Sequence, residues 1–110
     1  MTNNGYKPLL IESIKASSDI EQHRFIGFDG NYCTAGSKAL GVSDVSTEKD
    51  QFAPVAIYGI LLVEAGGTIS AGDSISSNAD GKAVKTSDSA IVNGYALDNA
   101  TEGQEIRILI

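Results

Sequence analysis

Positive charge, cysteine, histidine and tryptophan are all scarce in this chain, and each scarcity removes a class of function. The 110 residues carry 8 Lys and Arg against 14 Asp and Glu, a net charge of −6. Nucleic-acid binding needs clustered Lys and Arg to neutralise phosphate, so that class is excluded first. The lone Cys33 rules out an internal disulfide framework and any zinc site built on several cysteines. The lone His23 rules out catalytic metal sites that need two or three imidazoles. Trp is absent, which weakens any reading as a carbohydrate module with exposed aromatic platforms. Long apolar runs are missing too. The longest uncharged stretch, between Asp50 and Glu64, spans 13 residues, whereas a membrane helix needs about 20. Residues 1–8 contain no basic segment leading into an apolar run, so the expectation is a protein made in a reducing cytoplasm, with no membrane partner.

What is present is one domain's worth of β-forming sequence. The pattern predicts an all-β fold. Arg24 to Phe28 reads as a short strand entering the Asp29-Gly30 turn. Ala53 to Val63 is the longest apolar run and reads as either one bent strand or two strands broken near Gly59. Gly66-Gly67, Gly72-Asp73 and Asp80-Gly81 divide the next stretch into short pieces. Ile106, Ile108 and Ile110 alternate with Arg107 and Leu109, the signature of a half-buried final strand. The expected core is Ile26, Phe28, Val55, Ile57, Ile60, Leu62, Ile75, Ile106 and Ile108. Leu9 to Ile20 fits a helix only loosely and carries three serines, so an extended conformation is favoured there. Residues 1–22 are therefore read as an N-terminal arm and residues 23–110 as the β domain. The alternative is that the arm forms the first strand of the domain's own sheet.

The chain also repeats itself. Asp29-Gly30 is echoed by Asp80-Gly81, and Gly41 and Gln51 by Gly94 and Gln104. Val55 and Ile57 lie at the same offsets from Gly41 as Ile108 and Ile110 do from Gly94. Two related β units of about 50 residues would produce this pattern.

Catalytic and metal-binding motifs fail on inspection. Cys33 and His23 flank one turn and are the sole thiol and imidazole, but a buried structural cysteine explains Cys33 without chemistry. The stretch beginning at Ser76 resembles half of a calcium loop, yet has Ser76 where Asp is needed and Ser87 where Glu is needed. It reads as a hairpin turn. Gly66-Gly67 lacks the Gly-Lys-Ser/Thr of a phosphate loop. No cofactor and no enzymatic activity are expected.

Charge is unevenly placed. Residues 1–38 are neutral overall, and residues 39–110 carry the whole of the −6. The neutral segment is thus the better candidate for contact with a partner, and the acidic remainder for a solvated face. Tyr6, Pro8, Leu9, Leu10 and Ile11 supply apolar residues for a strand added to a partner's surface. Within the long apolar run, Tyr58, Ile60 and Leu61 are the candidate contacts for self-association, because a domain this small struggles to cover that run alone.

Five strings in order, HRFIGFDG (23–30), ALGVSD (39–44), LVEAGGTISAGD (62–73), ADGKA (79–83) and NGYALDNATEGQEIRILI (93–110), resemble the bacteriophage capsid cement, or head decoration, proteins. The resemblance implies a non-enzymatic virion component with a clip- or tulip-like β-barrel, bound to the outer capsid surface. It implies the phage major capsid protein as partner, with bridging of neighbouring subunits, and a homotrimeric state. The competing class is a small β binding module for carbohydrate or a host surface.

Overall fold

The computed structural model describes residues 7–87 and 89–110, and among them there is no helix. Eight strands run in chain order: β1 (Lys7–Lys15), β2 (Phe25–Ile26), β3 (Gly41–Ser43), β4 (Phe52–Glu64), β5 (Ser74–Ser77), β6 (Ala83–Lys85), β7 (Gly94–Ala96) and β8 (Glu105–Leu109). They form one sheet of order β2-β3-β4-β8-β7-β5-β6, with β1 attached to β4 off this path. Every pairing between these strands is antiparallel. The all-β expectation holds. The barrel does not, because β2 and β6 end the path without pairing to each other.

The run from Ala53 to Val63 is one strand. Ala53, Val55, Leu61 and Val63 point inward and are fully buried, while Phe52 and Tyr58 point outward. The alternation places Ile60 and Leu62 on the outward phase, and together with Ile57 they are half-buried instead of core. Phe28 is also misplaced by the sequence reading. It sits in the turn after β2 and is 66% exposed. Residues 7–22 do not stand apart from the domain: β1 pairs with β4, and Ala16 and Ile20 are buried. The open alternative, a first strand of the domain's own sheet, is the one realised.

Hydrogen bonding shows that the repeat is structural. The register Phe25↔Val42, Val42↔Ala56 and Ile11↔Ala56 recurs as Ser74↔Tyr95, Tyr95↔Leu109 and Ile60↔Leu109. Ile20 and Thr47 exchange two backbone bonds of 2.8 Å, and Ile69 and Ala100 exchange two of 2.9 Å. The Asp44 N–H donates to the Pro54 carbonyl as the Leu97 N–H donates to that of Arg107. Even the left-handed turn residue is matched, with Asp50 at φ 72° and Gly103 at φ 90°. Unit 1 spans residues 11–57 and unit 2 residues 60–110.

β4 belongs to both units. Its first half closes unit 1 as β8 closes unit 2, and its second half opens unit 2 as β1 opens unit 1. Unit 1 encloses a small core of Ala16, Ile20, Ile26, Ala53 and Val55. The equivalent residues of unit 2, Ala65, Ile69, Ile75, Ile106 and Ile108, lie in the larger core, to which unit 1 adds Phe25, Val42 and Ala56. The units are also clasped by polar contacts. Buried Arg24 donates to the Asp80 carbonyl at 3.1 Å and to Glu64 at 3.3 Å, and its guanidinium lies 5.5 Å from the Tyr32 ring centre.

The joint between the units is Gly59. Its φ is +117°, and a Cβ there would lie 2.3 Å from the Lys7 carbonyl oxygen. No other residue fits both the backbone angle and the approach of β1. Gly59→Ala is therefore expected to destabilise the fold by about 1–3 kcal/mol in urea denaturation and to speed amide exchange in β1. Leu61→Ala, which empties a fully buried site, should lose about 2–5 kcal/mol. A Gly59→Ala protein with unchanged β1 protection would contradict this role for the joint.

Candidate functional site

Two surfaces stand out, an open strand edge and an apolar face. The edge belongs to β1. Ala56 faces both Ile11 and Val42, and Ile60 faces both Lys7 and Leu109, so β1 holds one edge of β4 while β3 and β8 share the other. Among the described residues no strand pairs with the outer edge of β1. The strand is irregular there, with register shifts on either side of Leu10. Pro8, which has no N–H to donate, sits at the start, as suits an edge strand. Leu9 is 72% exposed, and Leu10 and Ile11 are exposed with it.

An edge strand with unused backbone groups is a ready template for another chain, and proteins ordinarily blunt such edges with charge or cover. Here Leu9, Leu10 and Ile11 are exposed side by side, and the charged residues Lys7, Glu12 and Lys15 flank them. Of the residues expected to touch a partner, Leu9, Leu10 and Ile11 lie together on this edge and Pro8 is half-buried against Gly59. Tyr6 lies outside the described residues.

The apolar face belongs to the outer side of unit 2. Cross-strand pairing puts Tyr95, Leu109, Ile60 and Lys7 in one row over four strands. Tyr58 joins them, lining with Leu109 and Ile110 the two shallow depressions of this face. Tyr95 is 53% and Leu109 48% exposed. Of the three expected self-association contacts, Tyr58 and Ile60 stand on this surface. Leu61 does not. It occupies the inward phase of β4 and is fully buried in the core. The sequence reading missed Tyr95 and Leu109, although both fall on the outward phase of alternating segments, GYA and EIRIL. Phe25 is fully buried, but Phe28, Phe52, Tyr58 and Tyr95 are exposed.

Reactive groups are held in structural roles. Cys33 is buried, and its thiol approaches the Thr34 and Ser37 carbonyls at 3.4 Å. Burial pushes its pKa up, which suppresses the nucleophilic thiolate. The Nδ1 of His23 contacts the Glu105 carboxylate across the two units. The stretch after Ser76 is a β5–β6 hairpin, in which the Asn78 side-chain oxygen accepts from the Asp80 and Lys82 N–H groups at 2.9 Å each. Among the described residues no three His, Cys, Asp or Glu side chains are grouped to hold a metal ion.

Beyond the apolar row the same side becomes charged. Arg107 donates to both Asp98 carboxylate oxygens, at 2.7 and 3.0 Å. These bonds hold the Asp98 carboxyl below its ordinary pKa. Burial opposes the charged form of Glu64, but the Lys82 hydrogen bond and the Arg24 charge outweigh it and lower that pKa as well. A carboxyl whose folded pKa is lowered stabilises the fold above its unfolded value, near about pH 4, and loses that contribution as pH falls through the lower folded value. Asp98→Asn should accordingly flatten part of the acid limb of the melting curve and leave the neutral-pH stability reduced by at most about 1 kcal/mol, since the pair is partly exposed. An acid limb identical to that of the unaltered protein would contradict the assignment.

Comparison with known proteins gives two findings. A family model described as phage cement protein matches residues 9–110. The match begins inside β1 and so takes in the strand that the quoted sequence strings leave out. Among solved structures, the head fiber gp8.5 N base in bacteriophage phi29 is similar with a TM-score of 0.78 and 25% sequence identity, over 92% of each chain.

Proposed function

Because the chain belongs to the phage cement protein family, we propose that it decorates the outer surface of the assembled head and bridges neighbouring major capsid subunits. That it is a phage head-associated structural protein follows from the family and from its similarity to a head fiber base. Which surface it uses is the proposal. The observation that carries it is the open, apolar edge of β1. An extended segment of the major capsid protein laid along this edge would complete its unpaired backbone groups, with alternate side chains fixing register. The edge also carries no net negative charge, with Lys7 and Lys15 against Glu12 alone.

Strength on the shell then comes from repetition. A homotrimer at a threefold position presents three such edges at once, and linked contacts of modest affinity gain roughly 10²–10⁴ in avidity when geometry lets all of them engage. No catalysis enters this role, and no cofactor is needed for it.

Placing lysines on the edge is the direct test, because charge on an edge strand blocks pairing without disturbing a core. Leu10→Lys combined with Ser13→Lys, both at exposed positions, should leave stability within about 0.5 kcal/mol. The same variant should fail to cosediment with heads of the matching phage. Cosedimentation equal to that of the unaltered protein would place the shell contact elsewhere.

A further inference from the structure

We infer that the outer face of unit 2, built on Tyr58, Ile60, Tyr95 and Leu109, is the surface through which copies of this chain bind one another. The inference deepens the homotrimer reading above by giving it a surface, and it stands or falls separately from shell binding. Its basis is the internal repeat. The row Phe25–Val42–Ala56 of unit 1 corresponds, strand for strand, to the row Ser74–Tyr95–Leu109 of unit 2. In unit 1 that row is at most 1% exposed, because unit 2 covers it and draws it into the shared core. In unit 2 the row is left about half exposed at Tyr95 and Leu109, with no strand over it among the described residues. The molecule thus contains one worked instance of how this surface is satisfied, and the covering body is a unit of its own kind.

The side chains point the same way. Antiparallel sheets that face water on one side normally turn polar on that side. Here the equivalents of buried Val42 and Ala56 are the larger apolar Tyr95 and Leu109, and both are about half exposed. Val92 and Ile110 extend the surface around the depression beside Tyr58 and Tyr95. Charge selects the occupant. Lys7 and Lys38 are the charged residues bordering the two depressions, and no Asp or Glu lines either of them. In a chain of net charge −6, an acid-free surface is what two copies need in order to approach without repulsion. Three such faces meeting in a closed ring would bury the row and stop open-ended growth through this face.

Sedimentation of the full chain tests this with Tyr95→Glu and Leu109→Lys as separate variants and Phe28→Ser, an exposed apolar residue off the face, as control. The unaltered protein and the control should sediment as the same oligomer. Each face variant should dissociate with an affinity loss of roughly 30-fold or more, as expected when a packed interface anchor is lost. Its far-UV circular dichroism should match that of the unaltered protein. A monomeric unaltered protein, or face variants that stay oligomeric, would overturn the inference. Face variants that stay oligomeric but lose binding to heads or to a glycan panel would assign the face to that other partner instead. An oligomer built on this face that binds no heads would sink the decoration reading and leave this one standing.

Discussion

One strand has to serve two cores at once, and the rest of the molecule is arranged around that requirement. β4 is thirteen residues long, far beyond what a domain of this size needs to cross it. Its length follows from the repeat, in which the last strand of unit 1 runs without interruption into the first strand of unit 2. Both of its edges must therefore be filled, by β1 on one side and by β3 and β8 in succession on the other. Gly59 lets the strand turn from one unit to the next while β1 passes close by. Unit 1 then presents its Phe25–Val42–Ala56 row to unit 2, and a single large core results.

The same arrangement decides where the molecule is incomplete. A repeat of two units satisfies the junction between them but not the two ends. At one end, β1 has a partner on one edge and none on the other among the described residues. At the other end, the outer row of unit 2 is about half exposed at Tyr95 and Leu109 among the described residues. Both loose ends are apolar, and they differ in kind. The β1 edge offers backbone hydrogen-bonding groups and suits an extended segment of another chain. The unit 2 face offers flat side-chain surface and suits a packed body. A protein with these two surfaces can hold a shell with one and its own copies with the other.

Much of this was legible in the sequence, and the failures share a cause. Alternation in EIRIL and the turn signals at Asp29-Gly30 and Asp80-Gly81 gave correct strands and turns. The paired offsets of Gly41 and Gly94 pointed to a duplication that the hydrogen bonds bear out. The long run from Ala53 to Val63 is almost uniformly apolar, so its phase is invisible in composition. From sequence, Leu61 reads as a contact although it is core, and Ile60 and Leu62 read as core although they face outward. β1 is the opposite case. Most of its length is exposed, so it carries no alternation by which a strand could be told from a free arm. The unit 2 face obscures the pattern in a similar way, because its outward positions Tyr95 and Leu109 are apolar where alternation leads one to expect polar residues.

The whole account rests on the two surfaces facing different partners. A reconstruction of heads saturated with this protein tests that most directly. Density for the protein should lie on the outer surface in threefold-related copies, with the β1 edge against the major capsid protein and the unit 2 faces turned toward one another. Density with β1 facing solvent, or no added density on the outer surface, would contradict the account.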